Sequence, residues 1–318
     1  APAETGTPEI TGYKQSPMLD GKDLPPVEER LPKEPKIYNE MPEDMLDFEV
    51  GTYGGTLRTV TAVINWDADV YVMNVEPLLN SPAYLGKEFT GNILKGYEVS
   101  EDQKEYTFYL REGLKWSDGQ PVTMEDFKFA FEDVIMNEEL TPIFPQWLRS
   151  AGKPNGTPAK FEVVDDWTFK LVFDEPYGGL PIRLSIQGWR GYTDLLKPAH
   201  YLKQFHKKYN TDEADLEAKI KEAGFQPGEW VNLFNYKDIV AAEKTTKDAV
   251  GFPMLYPWVI TKAGETIYEY ERNPYYFKVD KAGNQLPYID KIESTLVQDM
   301  EMVTMKTLTG EVDFVRES

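Results

Sequence analysis

One stretch restricts the fold of this chain more than any other: Glu105 to Phe127, where strand, turn and helix signals follow one another without a gap. Glu105-Tyr-Thr-Phe-Tyr-Leu-Arg111 alternates and is rich in β-forming residues, which predicts a strand. Leu114-Lys-Trp116 adds a short strand, closed by the turn Ser117-Asp118-Gly119. Thr123 then suits a helix N-cap, with Glu125 and Asp126 where the helix dipole favours acids. Phe127, Ala130, Phe131 and Val134 continue at helical spacing.

The flanking regions have the same mixed character. Thr56 to Val63 reads as a buried strand behind the punctuating glycines of Gly51-Thr-Tyr-Gly-Gly. Phe161-Glu-Val-Val and Trp167-Thr-Phe-Lys-Leu-Val-Phe173 flank Asp165-Asp166 as a hairpin. A helical portion follows: Pro198 sits in a first turn before Tyr201, Leu202 and Phe205. Thr211 caps a helix through Leu216 and Ile220, which Gly224 ends. Thr266 to Arg272 is a strand broken by Asn273-Pro274, and Lys291 to Gln298 is another. Asp299 caps a helix carrying Met302, Met305 and Leu308, with Val303 flanking the same face and Gly310 as its stop. Val312-Asp-Phe-Val315 starts a strand that would normally feed a further element, and the chain stops there. Residues 1–50 hold eight prolines, from Pro2 to Pro42. They read as an extended tether or a surface strap, without helix or central strand.

At 318 residues the prior is about two domains. The 54 acidic and 34 basic residues give a net charge of −20. That argues against nucleic acid, which needs clustered Lys and Arg, and against docking on anionic lipid. The chain has no Cys and 2 His, so thiolate chemistry is excluded and neither a metal site nor a cofactor is expected. Apolar runs fall short of the roughly 18 residues that span a bilayer, and Ala1-Pro2 opens into polar sequence without a signal peptide.

No G-x-S-x-G, HExxH, Walker A or GxGxxG motif is present. Gly51-Thr-Tyr-Gly54-Gly55 precedes a strand where a phosphate loop would open a helix. His200 and His206 read as solvated residues of a Lys-rich helix. Asp165/Asp166 and Asp280-Lys-Ala-Gly-Asn-Gln285 read as turns; the second lacks the alternating ligands of a calcium loop.

The remaining chemistry is aromatic. Trp116 and Trp167 alternate with strand residues and are assigned to packing. Trp66, Trp189 and Trp258 sit in loop-like contexts, with Asn65, Gln187 and Tyr192 beside them. Loop aromatics next to amides suit a wet cleft for a neutral or zwitterionic solute. The alternative for each is a ring that anchors its loop in the core. The candidate ligand-binding residues are therefore Asn65, Trp66, Gln187, Trp189, Tyr192 and Trp258, with no catalytic residue.

Tyr106-Thr-Phe-Tyr-Leu-Arg-Glu-Gly-Leu-Lys-Trp-Ser-Asp-Gly-Gln-Pro-Val-Thr-Met-Glu-Asp-Phe127 resembles the signature of the family 5 extracytoplasmic solute-binding proteins, the oligopeptide and dipeptide receptors of ABC importers. Tyr270-Glu-Arg-Asn-Pro-Tyr-Tyr276, Gly283-Asn-Gln-Leu-Pro-Tyr-Ile-Asp290 and Gly310-Glu-Val-Asp313 are similar to further motifs of that family, in the same order. Gly251-Phe-Pro-Met-Leu-Tyr-Pro-Trp258 departs from the family's usual Gly-x-Gly-Pro-Tyr segment and adds an aromatic, as in its sugar binders. The resemblance implies a mixed α/β fold: one lobe of a type II periplasmic-binding-protein-like molecule over 51–318, with an inserted subdomain at roughly 75–185 and the second lobe missing. It implies a receptor that takes a peptide or oligosaccharide and hands it to a membrane permease. It further implies an extracytoplasmic location, a lipid anchor in the precursor and a monomer at full length. A sensory receptor on the same scaffold and a carboxylate-based glycoside hydrolase are the competing readings.

Overall fold

The computed structural model describes residues 10–38, 49–81, 89–186, 188–241 and 244–316. Its first strands are β1 (Lys36–Ile37), β2 (Thr56–Thr61), β3 (Leu79–Asn80), β4 (Thr90–Gly91), β5 (Leu94–Val99) and β6 (Glu105–Leu110). They are followed by β7 (Lys160–Asp165), β8 (Thr168–Val172), β9 (Trp258–Ala263), β10 (Ile267–Arg272), β11 (Lys278–Val279) and β12 (Lys291–Leu296). The helices are α1 (Val27–Arg30), α2 (Ala68–Asn74), α3 (Met124–Lys128), α4 (Leu180–Ser185), α5 (Ala199–Leu202), α6 (Glu213–Glu222), α7 (Trp230–Lys237) and α8 (Met300–Leu308).

Two four-stranded sheets organise the chain. The mixed sheet has the order β2-β12-β10-β9. β2 and β12 pair in parallel, and β12, β10 and β9 pair antiparallel in turn. β2, β12 and β9 therefore all point the same way. The second sheet, β5-β6-β8-β7, is antiparallel throughout and lies within the chain between β2 and β9. The fold is mixed α/β.

Glu105 to Phe127 fulfils its local signals. The alternation of β6 buries Tyr106, Phe108 and Leu110 and leaves the residues between half-exposed. Phe108, Phe127 and Phe161 converge on Phe169, with ring centroids 5.1, 4.7 and 5.2 Å away. Thr123 caps α3, and Asp126 answers it by accepting from the Thr123 N–H at 2.8 Å. The other oxygen of Asp126 accepts from Ala199 N–H at 2.9 Å, which ties α3 to the start of α5. Burial pushes the Asp126 carboxyl above its ordinary value, against these hydrogen bonds. Beyond Lys128 the helix continues as a π-turn through Phe129–Ile135. The expected strand at Leu114–Trp116 is reduced to one bridge, Lys115 to Pro121.

The proline-rich segment departs from expectation in one respect: it holds a short helix. Residues 10–38 contain α1 and β1 and lie against the body of the protein. Pro25 and Pro26 stand just before α1, where a missing N–H costs no helical hydrogen bond. β1 pairs in parallel with β11, and Lys14 bridges Asn284. Arg30 is fully buried; it donates to Pro25 O at 2.9 Å and also meets Pro274 O.

Two further expectations shift. Asp212, rather than Thr211, caps α6, because its carboxylate accepts from both Ala214 and Asp215 N–H groups. Asp299 caps α8 as expected, yet Val303 is the helix's buried residue and Met302, Met305 and Leu308 are exposed. Residues 312–315 form no strand; the Asp313 and Phe314 N–H groups bond to Arg58 O at the free edge of β2.

Candidate functional site

The shared direction of β2, β12 and β9 gives the mixed sheet a carboxyl edge and an amino edge. β2 leaves the carboxyl edge into Ala62–Asp67, and α2 then returns towards the amino edge. The Thr61 hydroxyl holds Trp66 O at 3.3 Å. Asn65 takes a left-handed conformation, φ 62°, which asparagine tolerates better than most residues. Its N–H donates to the Tyr268 hydroxyl at 3.1 Å, and its carbonyl accepts from Thr245 N–H at 3.2 Å. Trp66 bridges Lys244. Asn65, Trp66 and Lys244 thus meet on one edge, with Trp66 half-buried and Asn65 exposed. Val63 and Ile64 precede them on the same turn, Ile64 being 72% exposed. Sequence reasoning passed over Val63, Ile64 and Lys244. The signal available was an apolar pair directly ahead of Asn65-Trp66.

Asp67 anchors this turn from below. Fully buried, it caps α2 by accepting from Asp69 and Val70 N–H groups at 3.2 and 3.3 Å. Burial pushes its carboxyl up to about 6, against the pull of Ser294 and of those N–H groups. Asp69 accepts from Thr59 Oγ1 at 3.1 Å and from Arg316 N–H at 2.9 Å. Arg58 on β2 binds Asp313 through both side-chain and backbone nitrogens at 2.8–2.9 Å. The segment from Asp313 to Arg316 is therefore fastened beside the same turn.

The other expected site residues lie elsewhere. Trp258 opens β9 at the amino edge, so it belongs to a strand, not a loop. Its indole N–H donates to Ile289 O at 3.0 Å. Its ring lines a separate cleft of about 530 Å³ with Met73, Tyr276 and Leu286. Beside that cleft the buried Lys278 and Glu76 pair at 3.0 Å. Tyr192, expected in a wet loop, is a core residue: it is 1% exposed, packs on Trp116 and Tyr256, and accepts from Leu255 N–H at 3.0 Å. The fold tucks it inward at Gly191, whose φ is +52° and whose missing Cβ would stand 2.6 Å from Glu76 O. Gln187 and the Trp189 side chain lie outside the described residues.

The histidines need one correction. His206 is buried among Phe129, Trp230 and Phe234, with Nε2 3.1 Å from Asp133 O. Burial lowers its pKa, so it is a neutral packing residue rather than a solvated one. His200 stays part-exposed and pairs with Asp118 at 2.8 Å. Asp165 and Asp280 hold turns, accepting from the N–H groups of Trp167 and Ala282, each at 2.8 Å. Among the described residues there is no cluster of three potential metal ligands, and no helix is long and apolar enough to cross a membrane.

The family model for the middle part of the bacterial extracellular solute-binding proteins, family 5, matches residues 88–318. The chain belongs to that family. The periplasmic alpha-galactoside-binding protein of Rhizobium meliloti (strain 1021) is 30% identical over 293 residues, which is 86% of this chain and 37% of that protein. A solved oligopeptide-binding protein OppA superposes with a TM-score of 0.77 at 35% identity, covering 96% of this chain and 44% of that one. The periplasmic binding protein MelB of Agrobacterium fabrum C58, solved with stachyose, superposes with a TM-score of 0.71 at 24% identity, covering 96% and 44%. The chain thus spans about two fifths of the length of these relatives. The fold class is mixed α/β, that of type II periplasmic binding proteins, as the motifs implied.

Proposed function

We propose that this family 5 chain forms one lobe of an extracytoplasmic receptor that captures a peptide or an oligosaccharide and delivers it to the permease of an ABC importer. One observation carries the reading: the turn at the carboxyl edge of the mixed sheet presents Asn65 and Trp66 together, on a rigid base of buried Asp67. Open α/β sheets bind ligands beyond the carboxyl ends of their strands. Trp66 offers a ring face for stacking, and Asn65 offers amide groups to hydroxyls or peptide backbone. A second lobe closing over this edge would supply the remaining contacts.

The names of the relatives support both ligand classes, and the periplasmic description of the Rhizobium protein supports a place outside the cytoplasmic membrane. The receptor works as a monomer, lipid-anchored in its precursor, and binds its solute without turning it over. Calorimetric titration of the whole gene product with stachyose and with trialanine tests the proposal. Micromolar or tighter binding of one of them is the expected result. Silence towards both, or turnover of stachyose, would overturn it.

A further inference from the structure

A second cavity, of about 670 Å³, is lined by the π-turn that continues α3, the loop at 140–147, Arg183 of α4, Arg190, Asp194 and Lys197, and the end of α7 with Asp238 and Val240. Its volume is in the range of small-molecule sites. One wall is apolar: Leu140, Ile143 and Trp147, with Ile143 84% exposed at the rim. Beside Trp147 stand Arg183 and Arg190, and both guanidinium groups converge on the single carboxylate of Asp194, at 3.4 and 2.7 Å. Lys197 and Asp238 close the floor as a buried pair at 2.5 Å and cancel each other. Among the lining residues the acids are Asp194 and Asp238 and the bases Arg183, Arg190 and Lys197, so one positive charge is left over. The chain as a whole carries −20, and this cavity is positive against that background.

The geometry of the donors adds to the charge. Arg183 lies over the Trp147 ring, 5.5 Å from its centroid, which fixes the guanidinium plane. Its Nε is buried and has no hydrogen-bond partner among the described residues. A guanidinium group presents its N–H donors in the fork that a carboxylate matches. The adjoining apolar surface of Leu140, Ile143 and Trp147 suits a hydrocarbon body of a few carbons.

We propose that this cavity is a binding site for a monocarboxylate with a compact apolar body, such as a short organic acid or the free C-terminus of an apolar peptide. The carboxylate meets the Arg183 guanidinium, whose bond to Asp194 is the longer of the two, and the body lies along Trp147 and Ile143. The site is independent of the turn at Asn65 and Trp66, and does not require the transport reading.

Fluorine NMR on the chain labelled with 5-fluorotryptophan tests it, with the Trp147 resonance assigned through Trp147→Phe. Hexanoate and N-acetyl-leucyl-leucine are the probes; hexanol and hexylammonium are the controls. A saturable shift of the Trp147 resonance with either carboxylate is expected, and the tighter of the two identifies the source. Arg183→Gln should weaken that binding at least about tenfold, the scale of a lost charge-assisted hydrogen bond. Ile143→Ser, at the exposed rim where folding is not at stake, should weaken it severalfold. No saturable shift up to about 20 mM of either carboxylate would overturn the proposal. So would equal binding of hexanol, or unchanged affinity in a folded Arg183→Gln variant.

Discussion

Asn74, the last residue of α2, holds Trp258 by both backbone groups: its Nδ2 donates to Trp258 O and its Oδ1 accepts from Trp258 N–H, each at 3.0 Å. A side-chain amide here does what a neighbouring strand would do for the first residue of β9. It also locks the far end of α2 to the amino edge of the sheet, which sets the helix axis and so the height of the Asn65-Trp66 turn at its other end. Asn74 is buried. Asn74→Leu should therefore leave the part-buried N–H and C=O of Trp258 without this partner and cost about 1–3 kcal/mol, read as a lowered urea midpoint. A change within about 0.5 kcal/mol would show that water replaces the amide.

Asp67 should give the protein a stability that falls as pH rises. Its carboxyl is pushed up to about 6 in the fold, against an ordinary value of 3.8. Below about pH 4 the folded and unfolded chains both keep this proton, and the group is neutral to stability. Between about 4 and 6 the unfolded chain releases it first, and above 6 the fold bears the full cost of a buried charge, at most about 3 kcal/mol. Asp67→Asn keeps an N-cap acceptor and removes the charge. It should match the parent below pH 4 and exceed it above pH 6, in urea titrations across that range. Parallel pH profiles for the two proteins would refute this assignment.

The parts of this architecture that were legible in sequence are those decided within a few residues. Thr123 with Asp126, the hairpin at Asp165-Asp166 and the cap at Asp299 each depend on side chains bonding to nearby backbone. What could not be read depends on partners far away in the chain. The spacing of Met302, Met305 and Leu308 says that they share a helix face and not whether anything covers it; in the structure Val303, on the other side, is the residue that packs. Lys-rich surroundings made His206 look solvated, but the aromatic rings that enclose it come from α3's continuation and from α7. Most of all, the separation of Trp66 from Trp258 rests on the parallel pairing of β2 with β12. Only that pairing tells which end of β9 shares an edge with Trp66.

The Lys278–Glu76 pair should be costly to break and cheaper to replace. Glu76 accepts from Lys278 at 3.0 Å, from Asn92 Nδ2 at 2.7 Å and from the Tyr276 hydroxyl. Both charged side chains are buried, at 7% and 5% exposure. Lys278→Met leaves the carboxylate with neutral donors alone, and should lower stability by about 3–5 kcal/mol. Adding Glu76→Gln to that variant should recover a large share of the loss, because the stranded charge is then gone. Additive losses in the double variant would mean that the two side chains are not coupled, and would contradict the pairing.

The two half-buried tryptophans should separate binding from stability. Trp66 stands on the carboxyl-edge turn, where its carbonyl accepts from the Thr61 hydroxyl and its backbone bridges Lys244. Trp258 is built into β9, with its indole N–H spent on Ile289 O and its ring against the amino-edge cleft. In the whole gene product, Trp66→Ala should weaken binding of the recognised solute at least about tenfold, the order expected for a lost stacking face, with a smaller loss of stability than Trp258→Ala. Trp258→Ala should do the reverse: affinity within about twofold of the parent, and a stability loss of about 2–3 kcal/mol for a half-buried ring. Calorimetric titration and urea unfolding of both variants decide the matter. Retained affinity in Trp66→Ala together with lost affinity in a folded Trp258→Ala would move the solute to the opposite edge of the sheet.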